Sequence, residues 1–394
     1  MELEQIRLLD EQYYMNTFGK RLNVAFDRGE GIKLYSTEGE QYYDFLGGIA
    51  VNALGHSHPK FVNRLKEQLD KLLHTSSLYY IENQAKLAQK LCENSCADKA
   101  FFCSTGAEAN EGAIKLAKIY FYKKGKENYE IISLDKSFHG RTLATVAATG
   151  QEKYQKPYRP LTPGFIQVEP DNIDAVYNAV TDKTAAIMIE LIQGESGVYP
   201  MSVEYVKKLR ELCDEKGIIL IFDEVQTGMG RTGEYFAHQY YGVEPDIFTS
   251  AKALGGGIPI GAIGAKDFVA QAFEPGDHGT TFGGNPFATA AGLGVFEIYE
   301  EEKILENVKA MSAYFMSELE KIKEKHTDKI VELRNAGLLI GIELKGEYAR
   351  DTFNKMFENK YLTSLCKNTL RIAPPLIITK QDIDGFINVL DEIL

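Results

Sequence analysis

Between residues 130 and 228 the chain alternates short apolar runs with a segment of helical periodicity, and that alternation admits few folds. "EIISL" (130–134) and "AAIMIELIQG" (185–194) are apolar nearly throughout, and "VEYVKKLRELCDEKG" (203–217) is amphipathic. "IILIFDEVQTG" (218–228) is apolar again up to its first charge. A strand that is apolar on both faces must be covered on both faces, and intervening helices supply the cover. The pattern therefore predicts an α/β fold with a mostly parallel sheet between helices. Ligands of such sheets gather beyond the carboxyl ends of the strands. Asp223 and Glu224 directly follow "IILIF" and are expected at the mouth of a site. From about residue 290 helical periodicity takes over, closing on "QDIDGFINVLDEIL" with Ile383, Phe386, Ile387, Leu390 and Leu394 on one face. We expect a large ligand-binding domain over 51–290 and a smaller α+β domain built from 1–50 and 291–394.

An amine is the second constraint. "DIFTSAKALGGGIPIGAIGAK" (246–266) holds a single charge between its outer Asp246 and Lys266. That charge is Lys252, flanked by small and apolar residues, with Gly255 to Gly257 just beyond it. Burying an unpaired charge costs several kcal/mol or more, so a lysine in this setting is either paired or used as an amine. It lies one strand–helix–strand interval beyond Asp223, which puts an acid and an amine at neighbouring strand ends.

Four glycine-containing stretches surround this pair in sequence. In "STGAEANEGAIKLAKIY", Thr105 and Glu108 have capping-box spacing, so a helix should begin there. Gly106 lets the backbone approach a ligand, and the free N–H groups of a helix start favour phosphate. "SFHGRT" (137–142) sets an aromatic, a histidine and Arg141 on a loop, and "GTTFGGNP" (279–286) offers two hydroxyls among turn residues. "GMGRTG" (228–233) matches a dinucleotide-binding spacing. It stands apart from the strand before it and no long helical pattern follows, which argues against a nicotinamide dehydrogenase. Each stretch alone has an ordinary reading as a cap, a loop or a turn. Together, a lysine amine, an acid, a phosphate cradle and a loop aromatic suit pyridoxal phosphate. That cofactor needs a lysine, a carboxylate facing its ring nitrogen and a phosphate pocket.

Composition narrows the partners. The net charge of −12 argues against nucleic acid or an anionic membrane as the main partner. The N-terminus, "MELEQIRLLDEQYY", is too charged for a signal-peptide core, and no long uncharged apolar run is present. Five scattered cysteines fit free thiols in a reducing cytoplasm. Cys92 and Cys96 lack a second ligand pair, and "HSHP" (56–59) reads as a turn with structural histidines, so no metal is expected.

"FDEVQTGMGRTG" and "PDIFTSAKALGGGIPIGA" resemble the signature of the class III (subgroup II) pyridoxal-phosphate aminotransferases of fold type I. The similarity runs from "GEGIKLYSTEGEQYYDFLGGIAVNALGHSHP" to "LRIAPPLIIT". It implies that Lys252 bonds to the cofactor aldehyde, with its proton affinity lowered, and shuttles the substrate proton. Asp223 would face the ring nitrogen and Gln226 the ring oxygen, with Val225 and Phe138 on the two ring faces. The Gly106 and Ala107 amides would hold the phosphate, joined by Thr281 of a second subunit. Arg141 would clamp a substrate carboxylate, Thr280 of the second subunit would touch the substrate, and the enzyme would be a homodimer with shared sites. Glu195, in "QGESG", resembles the glutamate that covers Arg371 until a dicarboxylate displaces it; a permanent Glu195–Arg371 salt bridge is the alternative.

Within the family, "YMNTFGKR", "SSLYY" and "FHGRTLATVAATGQ" are most similar to members that take acetylornithine as amine donor and 2-oxoglutarate as acceptor. Ornithine-specific relatives carry a tyrosine where Ile49 stands, which disfavours unprotected ornithine. Donors such as 4-aminobutyrate and succinylornithine remain rivals. Leu191, Ser196 and Ala253 depart from the family's usual proline and glycines, two of them beside Glu195.

Overall fold

The structure is a computed structural model describing residues 1–394. With strands numbered in chain order, β1 (Phe26–Glu30), β2 (Lys33–Ser36) and β3 (Gln41–Asp44) form an antiparallel meander near the N-terminus. The central body holds β4 (Lys99–Cys103), β5 (Glu130–Leu134), β6 (Phe165–Val168) and β7 (Thr184–Ile189), then the short pair β8 (Ile192–Gln193) and β9 (Tyr199–Pro200). β10 (Ile219–Asp223), β11 (Ile247–Ser250) and β12 (Gly261–Ala265) follow. Beyond them lie β13 (Ile330–Ala336), β14 (Leu339–Leu344), β15 (Tyr361–Leu362), β16 (Ser364–Cys366) and β17 (Thr369–Ile372).

Seven strands make the central sheet in the order β4-β12-β11-β10-β7-β5-β6. β7 and β10 are buried at every residue, which is why their sequences do not alternate. The two faces nevertheless sort by period two. Ile219 and Ile221 of β10 pack in one cluster with Ala109 and Ala113 of helix Gly106–Lys123. Leu220 and Phe222 join Val206, Leu209 and Leu212 of helix Val203–Lys216 in the other. Each such aliphatic side chain removed from water contributes about 1.5–3 kcal/mol.

The sheet is parallel except at β12, which runs antiparallel to both β11 and β4. The connection from Ser250 to Gly261 is too short to hold a crossover helix, so the chain must return antiparallel. A 3₁₀ turn, Lys252–Gly255, makes that reversal and fixes Lys252 directly beyond the end of β11.

The helical stretch after residue 290 is two helices, Pro286–Glu301 and Ile304–Lys325, broken where Lys303 takes a left-handed φ of 52°. The first packs on helices Pro59–Leu69 and Glu82–Glu93 of the central body, and the second on helix Lys380–Ile393. β15 pairs with β3, so the meander near the N-terminus is completed from the far end of the chain. A separate sheet, β13-β14-β17-β16, brings Arg371 on β17 toward the central body. In "HSHP", His56 pairs with Asp44 at 2.8 Å and His58 with Glu302 at 3.2 Å. No helix is long and apolar enough to cross a membrane.

Candidate active site

A cavity of about 430 Å³ opens beyond the carboxyl ends of β10 and β11. Nine of the residues singled out from sequence line it: Gly106, Ala107, Phe138, Arg141, Glu195, Asp223, Val225, Gln226 and Lys252.

Asp223 ends β10 and is 4% exposed. Its Oδ2 accepts from Asn110 Nδ2 at 2.8 Å and His139 Nδ1 at 2.7 Å. Its Oδ1 accepts from the Val225 amide at 3.1 Å and Thr249 Oγ1 at 3.4 Å. Four donors from four chain segments fix the carboxylate in place. Lys252 sits across the cavity with a φ of 46°, a strained conformation for a non-glycine residue. Its open side faces the cavity rather than bulk water, so burial pushes its amine down to about 8; Glu195 and Asp223 oppose that and Arg371 reinforces it.

The helix Gly106–Lys123 starts as its sequence requires. Thr105 Oγ1 accepts from the Glu108 amide at 3.1 Å, and the Glu108 carboxylate accepts from the Thr105 amide at 3.0 Å. The amides of Gly106 and Ala107, in the cavity wall, have no intrahelical partner. A Cβ on Gly106 would stand 2.7 Å from Val225, so only glycine lets this helix start and the Val225 loop meet.

Arg371 does not line the cavity itself but stands behind Glu195: its Nη1 donates to Glu195 Oε1 at 2.6 Å and to the Gly194 carbonyl at 3.2 Å. Arg371 Nε donates to Ser364 Oγ at 3.0 Å, and Gln226 Nε2 to Glu195 at 3.3 Å. Burial raises the Glu195 carboxyl, but Arg371 outweighs it and holds the group below its usual range. At the rim the Arg141 guanidinium carbon lies 3.9 Å from the Tyr154 ring centroid and has no carboxylate partner.

The class-III aminotransferase family profile matches residues 14–394. An acetylornithine aminotransferase of Methanocaldococcus jannaschii is 51% identical, over 98% of this chain and 96% of its own. Among solved structures, acetylornithine aminotransferase from Elizabethkingia anophelis superposes with a TM-score of 0.88 at 33% identity, covering 100% of this chain and 99% of that one. An ornithine aminotransferase from Toxoplasma gondii superposes with a TM-score of 0.95 at 30% identity, covering 100% and 94%; its active site is described with partially occupied pyridoxal phosphate.

The chain is a class III aminotransferase.

Aminotransferases of this class use pyridoxal 5'-phosphate, and the residues present fit it. The wall offers a neutral-prone amine, a fully held carboxylate, free helix-start amides and an apolar slot between Phe138 and Val225. Gln226 Oε1, on a residue of the cavity wall, is buried without a partner, as a polar group that meets a ligand would be. "GMGRTG" is not a dinucleotide loop in this aminotransferase. It forms turns before the five-residue helix Ala237–Tyr241, and its buried Arg231 donates to the carbonyls of Leu338 and Pro374.

The single chain does not bring Thr280 and Thr281 to the cavity. Thr281 is exposed, and Thr280 is half-buried, its hydroxyl accepting from the Gly283 amide at 3.2 Å. Among the wall residues without a role in the sequence reading are Asn110, His139 and Glu190. Glu190 Oε2 accepts from the Phe138 amide at 2.8 Å, anchoring the loop that carries the aromatic. Burial, then the neighbouring Asp223 charge, push its carboxyl well above the usual range. It stands directly after β7 as Asp223 stands at the end of β10, so the strand-end rule that found one could have found the other.

Proposed function

We propose that this aminotransferase moves the terminal amine of N-acetyl-L-ornithine to 2-oxoglutarate, giving N-acetylglutamate 5-semialdehyde and glutamate, a step of arginine biosynthesis. The observation that carries the reading is the pair of arginines around one lysine. Arg141 is open at the rim, while Arg371 is covered by Glu195 at 2.6 Å. A donor with one carboxylate uses Arg141, a geometry that suits a planar guanidinium. A five-carbon dicarboxylate uses both arginines once Glu195 has swung aside. Acetylation removes the charge of the α-amine, and Ile49 presents no hydroxyl that would favour a free one.

Pyridoxal phosphate, when bound, supplies an electron sink for the carbon that loses a proton. The protein's own groups do the rest. Lys252 Nζ, shifted toward its neutral form by burial, is able to take and return that proton near neutral pH. Asp223 would face the ring nitrogen and favour its protonated form. Gln226 would address the ring oxygen, Phe138 and Val225 would exclude water from the two faces, and Gly106 with Ala107 would hold the phosphate. Thr281 and Thr280 would reach phosphate and substrate from the second subunit of a homodimer; neither lines the cavity of its own chain. Five free cysteines support a cytoplasmic location.

The test is a donor panel with 2-oxoglutarate: acetylornithine, succinylornithine, ornithine and 4-aminobutyrate, compared by kcat/KM. Acylated ornithines are expected to lead by at least tenfold. A lead for ornithine or 4-aminobutyrate would overturn the substrate assignment.

A further inference from the structure

The loop Gly194–Val198 carries Glu195 and joins β8 to β9, and two arginines of the C-terminal sheet grip its two ends. Arg371 holds the Gly194 end through the contacts given above. Arg334, on β13, holds the other end. Its Nε donates to the Val198 carbonyl at 3.1 Å and its Nη2 to the Gly197 carbonyl at 3.1 Å. Nη2 also donates to Thr369 Oγ1 at 3.0 Å, on the same strand as Arg371. Glu332 and Glu343 accept from Nη1, and the Tyr199 ring centroid lies 4.0 Å from the guanidinium carbon. One buried guanidinium thus ties the loop bearing Glu195 to the strand bearing Arg371.

The backbone it grips is strained. Val198 has a φ of 58°, in a region that β-branched residues avoid. Such a conformation persists only where its surroundings over-determine it. No part of the first-order site needs Arg334, which touches neither the cavity nor Lys252.

We propose that Arg334 is a positioning residue for donor–acceptor selection, fixing the loop backbone so that Glu195 uncovers Arg371 by side-chain rotation alone. The proposal rests on the exchange at Arg371 put forward above. With both loop ends held, only the Glu195 side chain is free to move. Without Arg334, Val198 relaxes, the loop shifts and Glu195 no longer covers Arg371. Dicarboxylates then meet an uncovered arginine, whereas the monocarboxylate donor loses its shielded site. A merely structural role would weaken both together.

The experiment compares wild type, R334K, E195A and the double variant. Lysine keeps the charge but replaces a planar fork with a point donor. The readouts are KM and kcat with acetylornithine and with glutamate as donors, and equilibrium binding of glutarate, an unreactive dicarboxylate. In R334K the acetylornithine-to-glutamate ratio of kcat/KM should fall at least threefold, mainly through KM, and glutarate should bind at least threefold tighter. Adding R334K to E195A should leave that ratio unchanged. T369V, which removes one of the hydrogen bonds, should move the ratio the same way by less, and it serves as the test if R334K fails to fold. Equal losses for both donors, or a shift fully additive with that of E195A, would overturn the proposal. An E195A variant with unaltered ratio removes the exchange reading and this proposal with it. A shifted E195A beside a silent R334K removes Arg334 alone.

Discussion

Two carboxylates face the same lysine across one cavity, and they are held in opposite ways. Asp223 is 4% exposed and receives hydrogen bonds from Asn110, His139, the Val225 amide and Thr249. Glu195 has a quarter of its side chain open and is held by Arg371 and one long contact from Gln226. The first arrangement has nowhere to move; the second can let go. A site that meets two chemically different substrates in turn needs both kinds: a fixed charge for the chemistry common to them and a releasable one for what differs.

The largest expected effect comes from exchanging the charge at each position for an amide. D223N should lower kcat for every donor by about a hundredfold or more, the usual cost of removing one preorganised electrostatic partner. E195Q should change the rate with acetylornithine less than tenfold while altering its ratio to glutamate. Steady-state kinetics on both variants decide the matter. Comparable losses at the two positions would erase the distinction between anchor and gate.

This contrast was only half legible in the sequence. Asp223 and Lys252 could be placed because each ends a buried strand, and strand ends define the site by topology. The helix start at Thr105 declared itself through local capping chemistry and forms as its spacing requires. Residues whose role depends on distant segments stayed hidden. Asn110 looks like an ordinary helical polar residue until Asp223 and the His139 carbonyl are brought to it. Arg334 carries no local signal of a role, yet its hydrogen bonds reach Gly197 and Thr369. The expectation of a mostly parallel sheet left open which strand reverses, because apolar runs carry no direction; the short connection from Ser250 to Gly261 settles it at β12. Thr280 and Thr281 do not line the cavity of their own chain, so no contact within it marks them as site residues.

A second contrast is one of stability. Asn110 bridges Asp223, the His139 carbonyl and Thr249, all buried. N110A leaves those groups short of a partner and should cost about 1–3 kcal/mol, the range for stranding buried polar atoms. S364A, which removes the Arg371 Nε contact in a half-buried setting, should cost about 1 kcal/mol or less. Urea midpoints of the cofactor-free proteins test this without reference to turnover. A reversed order would mean that the movable side is the better anchored.

The smallest effect concerns what the Glu195–Arg371 pair itself contributes. Its carboxyl lies below the ordinary value of 4.5 in the folded protein. A depressed folded value means that the unfolded chain binds protons more readily. The pair's stabilisation is then fully present above about pH 5 and is lost as pH falls through the folded value. Wild type and E195Q should therefore differ in unfolding free energy by a constant amount near neutrality and converge in acid. That amount should be small, because the burial that raises the carboxyl opposes the attraction to Arg371. The magnitude matters beyond stability. An incoming dicarboxylate has to replace Glu195 at Arg371, and what the pair contributes is what the substrate must overcome. A weak pair is released by a substrate carboxylate of similar strength; one worth more than about 3 kcal/mol would impose over a hundredfold penalty on that exchange. Unfolding curves for the two proteins between pH 3 and 8, if they diverged by that much, would turn Glu195 from a gate into a lock.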